Sequence, residues 1–473
     1  MSTIYEKLKK YSDSDYYGFH MPGHKRNLDL MPGVSPYKID ITEIDGFDDL
    51  HHAEGILLEA QRRAAKVCHA DETHFLVNGS TVGILSAIAG VTKKGDTILV
   101  ARNCHKSVYH AIYMNELNPV YLYPHFDEDV QLNTEISAQD VSRALDDHPQ
   151  IRAVVIVSPT YDGVVSDVAA ISEVVHRKGL PLIVDEAHGA HFGFHPEFPK
   201  RANEQGADLV INSLHKTLPA LTQTALLHIN GTIVERKRVR KYLDMLQSSS
   251  PSYVLMAGMD ACMGLIAERG EELFAAYVER LLRLRNRLLE LQNLKLVETE
   301  NYDISKVFIS VSHTDITSRE LYQRLLEEYH LQMEMVAGTY VLAMTSVGDT
   351  EEGMQRLADA LFEIDRECSY GAEAEAFPLS GGQPRLEKVY NSAETEQVAE
   401  KADPEAVRMV PWEKSAGSIS LEYAYLYPPG SPLIVPGEKI TQEAADLLSW
   451  YRDHGFSVEG LKKNDCIEVW TDG

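Results

Sequence analysis

From about residue 55 onward the chain alternates short β-branched apolar runs with longer stretches of helical periodicity. Residues 73–77, 97–100, 120–123, 153–157 (AVVIV), 182–184 (LIV) and 209–211 (LVI) read as strands. Residues 55–68, 80–88 and 105–115 read as helices between them. Runs of this kind, spaced by amphipathic helices, predict a mostly parallel sheet covered on both faces. Ligands of such sheets sit beyond the carboxyl ends of the strands, so the polar residues after each run are the ones to inspect.

The pattern changes along the chain and divides it. Residues 1–54 are rich in Gly, Pro, His and Asp with weak periodicity, and read as an extended arm with turns rather than a packed unit. Residues 55–295 form the large α/β domain, closed by a long helical stretch over 254–292 that follows the punctuation Ser248-Ser249-Ser250-Pro251-Ser252. A smaller α/β domain over 296–370 has strands at 307–310 and 340–344 and helices at 318–329 and 350–364. The polar, Glu/Ala/Gly-rich passage 371–405 reads as a linker-like segment, and 406–473 as a C-terminal α+β domain.

Composition narrows the function classes. A chain of 473 residues with 44% hydrophobic and 25% charged residues is an ordinary globular one of two or three domains. A net charge of -26 argues against nucleic acid or an anionic membrane as partner and mildly favours cationic small molecules. No apolar run is long enough to span a bilayer, and the amino terminus has no apolar core for a signal peptide. Five scattered cysteines without C-x-x-C spacing fit a reducing cytoplasm.

Four motifs fall at predicted strand ends. Asn78-Gly79-Ser80-Thr81 opens a helix, where free amides and two hydroxyls suit a phosphate; a plain N-cap is the alternative. His105 follows the next strand, in place to lie over an aromatic ring, or else to serve the loop. Asp185 ends a strand in Val184-Asp185-Glu186-Ala187-His188, where a carboxylate keeps a pyridine nitrogen protonated. Small Ala187 leaves room for the ring, and His188 falls near its hydroxyl. Ser213-Leu214-His215-Lys216 then offers an amine nucleophile, with Ser213 and His215 completing the phosphate site. Together these outline a pyridoxal phosphate site with Lys216 as the Schiff-base lysine. Metal binding by His188, His191 and His195 is disfavoured by their irregular spacing, so no metal is expected. A serine acyl-enzyme reading of S-x-x-K lacks its companion motifs.

The combination resembles the Orn/Lys/Arg decarboxylase family of fold-type I pyridoxal phosphate enzymes, in its short form. The matching blocks are F-H-M-P-G-H-K (19–25), T-E-I-D-G-F-D-D-L-H-H (42–52), F-L-V-N-G-S-T-V-G (75–83) and R-N-C-H-K-S (102–107). Further on come S-P-T-Y-D-G (158–163), V-D-E-A-H-G-A-H (184–191), S-L-H-K-T-L (213–218) and Y-P-P-G-S-P-L-I-V-P-G-E (427–438). The resemblance implies Lys216, Asp185, His105 and His188 as catalytic residues. It implies Gly79, Ser80, Thr81, Ala187, Ser213 and His215 as further cofactor contacts. Ser431 departs from the branched apolar residue the family more often has there, which bears on substrate preference.

The implied reaction decarboxylates a basic amino acid (arginine, lysine or ornithine) in an enzyme at least dimeric. Glu438 and the arm carboxylates Glu43, Asp45, Asp48 and Asp49 are candidates to meet the distal cation of the substrate. An aminotransferase on the same fold is the nearest alternative. Such enzymes commonly clamp the substrate carboxylate with a small-domain arginine, which the stretch 340–349 lacks. A non-catalytic regulatory homologue is a further alternative, and the presence of Lys216 disfavours it.

Overall fold

The computed structural model describes residues 4–30, 35–128, 132–371, 382–403, 405–426 and 430–471. Its centre is a seven-stranded sheet in the order Glu72–Leu76, Ala225–Ile229, Leu209–Asn212, Leu182–Asp185, Ile151–Val157, Thr97–Ala101, Asn118–Leu122. All of these strands run parallel except Ala225–Ile229, which is antiparallel to both its neighbours. Val154, Ile156, Val184 and Val210 are buried, as β-branched residues under helices on both faces must be. Ala225–Ile229 lies outside the strands read from the sequence, because it follows residue 211 without the helical crossover that spaces the others. The chain instead turns back after the short helix Leu214–Thr217. Leu214 N donates to the Thr224 carbonyl at 3.1 Å, so the returning strand pins the loop that carries Lys216.

The 36-residue helix Tyr253–Leu288 links the large domain to the small one. Ser252 caps it, accepting from Leu255 N, and its buried stripe (Met259, Met263, Phe274, Tyr277) continues into Val341 and Leu361. The small domain is an antiparallel four-stranded sheet, Lys295–Val297, Lys306–Ser310, Tyr340–Met344, Met335–Ala337, backed by Ser318–Glu327 and Glu351–Glu367.

Two readings need correction. The amino-terminal arm is built into the molecule. Tyr17–Phe19 pairs parallel with Leu331–Met333, and Phe19 is wholly buried. Lys25 Nζ donates to the carbonyls of His20 (2.8 Å) and Met344 (2.7 Å). Gly23 N donates to the His215 carbonyl at 2.7 Å, and Ser346 Oγ to the Gly23 carbonyl at 2.5 Å. A Cβ on Gly23 would lie 2.7 Å from the Thr217 carbonyl carbon, so only glycine lets the arm wedge between the Lys216 loop and the small domain. Weak periodicity misled because backbone bonds hold this segment more than an apolar face does.

The passage 371–405 is likewise more than a linker. Residues 372–381 and 404 lie outside the described residues, but Glu387–Lys388 pairs with Glu438–Lys439. Ser392–Lys401 is a helix with a reciprocal capping box between Asn391 and Glu394. It buries only Ser392, Ala393 and Thr395, which is why its composition looks unstructured. The strand joins the sheet of the C-terminal unit, whose core includes Trp412, Ile434, Leu448, Ile467 and Val469, and the helix packs against the large-domain helix Lys106–Met114.

Candidate active site

Beyond the carboxyl ends of Leu182–Asp185 and Leu209–Asn212 lies a cavity of about 350 Å³. It gathers Gly79, Ser80, Thr81, His105, Asp185, Ala187, His188, Ser213, His215 and Lys216 onto one wall system. Met21, Asn103, Lys106, Tyr161 and Ser431 also line it.

One end is an open helix terminus. Gly79 begins the helix Gly79–Val91 with φ +73°, a conformation that favours glycine, while its absent Cβ has ample space. Asn78 stands at the N-cap without capping, because its Oδ1 accepts from Ser248 N at 3.1 Å. The first-turn amides therefore lack a side-chain acceptor. Ser80 Oγ meets Ser213 Oγ at 2.5 Å beside them. Amides and hydroxyls converging at a helix start form an anion cradle.

His105 caps the helix Lys106–Met114, its Nδ1 accepting from Ser107 N (3.2 Å) and Ser107 Oγ (2.9 Å). Burial, then nearby Lys216 and Lys106, push its pKa down to about 3, so the ring is neutral with its proton on Nε2. His215 donates Nδ1–H to the Thr224 carbonyl at 3.0 Å, and burial lowers its pKa also.

Asp185 is buried, with Oδ1 accepting from Ala187 N at 3.1 Å. Burial raises its pKa against the pull of Lys216, so its anion gains from a cation placed in the cavity. Lys216 Nζ lies 2.8 Å from His188 Nε2, and burial lowers the lysine pKa. On the other side of the same imidazole, Lys306 Nζ lies 3.1 Å from Nδ1. Burial first, then Lys216 and Lys306, hold His188 well below the usual histidine range. The Tyr161 ring packs on His188 at 4.6 Å, and its hydroxyl donates to Glu334.

Other expected residues lie elsewhere. Glu438 as a substrate carboxylate is corrected: it is buried against Arg102 (3.0 Å), accepts from Val435 N at 2.9 Å, and does not line the cavity. Glu43 also stands outside the lining, with Oε1 buried and without a hydrogen-bond partner among the described residues. His191 Nε2 pairs with buried Asp303 at 3.0 Å, and His195 Nδ1 accepts from Glu197 N, so the three histidines do not converge. Among the described residues no cluster of three His, Cys, Asp or Glu is placed to hold a metal.

Lys306 was missed in sequence because His188 lies 118 positions before it. Tyr161 stood in a quoted block without a role. The donor set (open helix amides, paired hydroxyls, a buried carboxylate, a neutral imidazole and an amine of lowered pKa) fits a phosphorylated pyridine aldehyde.

Comparison with known proteins gives the same address. Residues 2–316 match the family Orn/Lys/Arg decarboxylase, major domain, and residues 384–458 match Orn/Lys/Arg decarboxylase, C-terminal domain. An arginine decarboxylase of Bacillus subtilis (strain 168) is 32% identical, covering 97% of this chain and 95% of that protein. One from Halalkalibacterium halodurans is 33% identical, covering 93% and 91%. The crystal structure of the Francisella novicida lysine decarboxylase has a TM-score of 0.76 at 21% identity, covering 98% of this chain and 80% of that one. At that identity the likeness concerns the fold, an α/β fold-type I architecture with a C-terminal domain.

Proposed function

We propose, for a chain that belongs to the Orn/Lys/Arg decarboxylase family, pyridoxal phosphate-dependent removal of the α-carboxylate of arginine. That the enzyme is a decarboxylase of basic amino acids follows from the family and its relatives. The substrate rests on one observation: three relatives at 31–33% identity over nearly the whole chain are named arginine decarboxylases. Those named for lysine are 22–25% identical.

The cofactor reading is supported by the donor set. Gly79, Ser80, Thr81, Ser213 and His215 would hold the phosphate, and Asp185 the pyridine nitrogen. Lys216 supplies the anchoring amine, and neutral His105 presents a ring face. Pyridoxal phosphate, when bound, supplies the electron sink for the pair left at Cα as CO2 departs.

The rest falls to side chains of this chain. Ionised Asp185 keeps a pyridine proton in place, which its burial makes worth more than in water. Lys216, once it has taken up the proton that the substrate's α-ammonium gives up, returns a proton to Cα from the cavity wall, with His188 at 2.8 Å as its hydrogen-bond partner. Met21 from the arm and Ser431 from the C-terminal unit limit water access from two sides. The recognition residue for the guanidinium is sought on the arm of a second copy, where Glu43 and Asp45 carry unassigned carboxylates. A homodimer is accordingly the proposed working unit.

The test is kcat/KM for arginine, lysine and ornithine with the cofactor-loaded protein. Arginine should lead by tenfold or more, about 1.4 kcal/mol in transition-state binding. Preference for lysine overturns the substrate, and turnover of none overturns the function.

A further inference from the structure

His188 stands between two lysine amines, 2.8 Å from Lys216 Nζ and 3.1 Å from Lys306 Nζ. A neutral imidazole has one N–H and one lone pair, so the amine facing the N–H must be unprotonated, and an ammonium fits only at the lone pair. One ammonium can therefore be seated beside His188, on Lys306 with Lys216 the free amine, or the reverse.

The surroundings choose between them. Lys306 is wholly buried and faces Asp303, Glu334 and Asp162, with the Tyr161 ring 5.9 Å from its Nζ; burial raises the Asp162 pKa, as it does that of Asp185, so Asp303 carries the comparison. Asp303 is wholly buried too; burial opposes its charge, but His191 and Lys306 hold its carboxyl below the usual range. Among the described residues its Oδ2 has no hydrogen-bond partner. Lys216 faces Asp185 and Glu334, and burial raises the Asp185 pKa. His105 and His215 also face His188, and burial lowers the pKa of both. Negative charge is therefore concentrated on the Lys306 side, and opposite charge favours the ammonium there.

We propose that Lys306 is a positioning residue: its ammonium donates to His188 Nδ1, fixes the Nε2–H tautomer, and so presents an N–H to Lys216 that holds it as the free amine. Lys216 then enters the reaction deprotonated and nucleophilic, in a place where its own pKa range would otherwise leave it charged. The inference rests on the reading of Lys216 as the reactive amine. It is tested without turnover, so its failure is distinct from failure of the decarboxylase or substrate reading.

The full chain, cofactor-free and ¹⁵N-labelled at histidine, gives the first measurement, with His188 identified by the signal lost in His188→Gln. At pH 7 the His188 Nδ1 should show the shift of an unprotonated nitrogen and Nε2 that of a protonated one. The opposite pattern overturns the proposal. Lys306 is depressed to about 8, so the pattern should hold below that pH and relax above it. The second measurement is the pH dependence of Lys216 labelling by an amine-reactive reagent, read by mass spectrometry. Lys306→Met should move its half-reaction upward by about one pH unit or more, a tenfold loss of free amine at neutral pH. Lys306→Arg, which keeps the charge, should hold it near the wild-type value. An unmoved midpoint in folded Lys306→Met overturns the proposal, since removing an uncharged amine would do just that. Where Lys306→Met does not fold, the wild-type spectrum decides alone.

Discussion

Two clusters of buried charge stand near the strand ends, and they follow opposite rules. In the first, Arg102 is wholly buried and both its terminal nitrogens are answered: by Glu438 at 3.0 Å, the Pro432 carbonyl at 2.5 Å and the Leu433 carbonyl at 3.1 Å. Burial would lower the Arg102 pKa, but Glu438 and the neighbouring tyrosines raise it above its ordinary value. In the second, Lys216, His188 and Lys306 are three bases in a row, and among the described residues none has a carboxylate in hydrogen-bond contact. The first cluster clips the C-terminal unit onto the large domain. The second holds a surplus of basic groups that share too few protons, a condition that serves proton transfer rather than stability.

Each rule can be broken. Lys216→Ala should lower decarboxylation by about 10⁴-fold or more while near-ultraviolet dichroism stays unchanged, because a base is lost without orphaning a counter-ion. Retained turnover would remove Lys216 from the chemistry. Arg102→Met should instead cost about 3–5 kcal/mol of stability by denaturant titration, since Glu438 is left buried and unpaired. Pairing it with Glu438→Leu should restore most of that loss; no recovery in the double variant would show that the clip acts through its carbonyl bonds alone.

A half-buried cluster sets the scale between them. Glu72 accepts from Arg240 (2.6 Å) and pairs with His74 (2.6 Å), and its pKa falls to about 2 although burial opposes this. A depressed carboxyl stabilises above its unfolded pKa of about 4.3, and the contribution is lost as pH falls through 2. Glu72→Gln should therefore destabilise by about 1–2 kcal/mol at pH 7, after solvent screening, and by less at pH 3. Equal losses at both pH values would refute the pairing as the cause. Ser431→Val should have the smallest effect. Its hydroxyl donates to the Asn103 carbonyl at 2.8 Å on the cavity wall, so kcat/KM should change by about several-fold.

The sheet was legible because β-branched runs such as 153–157 and 209–211 have one stable use, between helices. The candidate site was legible for the same reason: Gly79, Asp185 and Lys216 each follow such a run and line one cavity at its end of the sheet. What escaped was whatever two distant segments decide together. Lys306 acquires meaning only beside His188, and Glu438 lost its expected role only beside Arg102. The arm residues Gly23 and Lys25 bind through backbone carbonyls, which leave no periodic trace in a sequence.

The wedge and the clip also fix when the site comes into being. Gly23 meets Ser346 across 323 positions, Asn103 meets Ser431 across 328, and Arg102 meets Glu438 across 336. A nascent chain leaving the ribosome thus carries Lys216 long before the cavity around it has walls. Any fragment that ends before Ser431 has Lys216 without its enclosure, so the cavity is among the last things that synthesis completes.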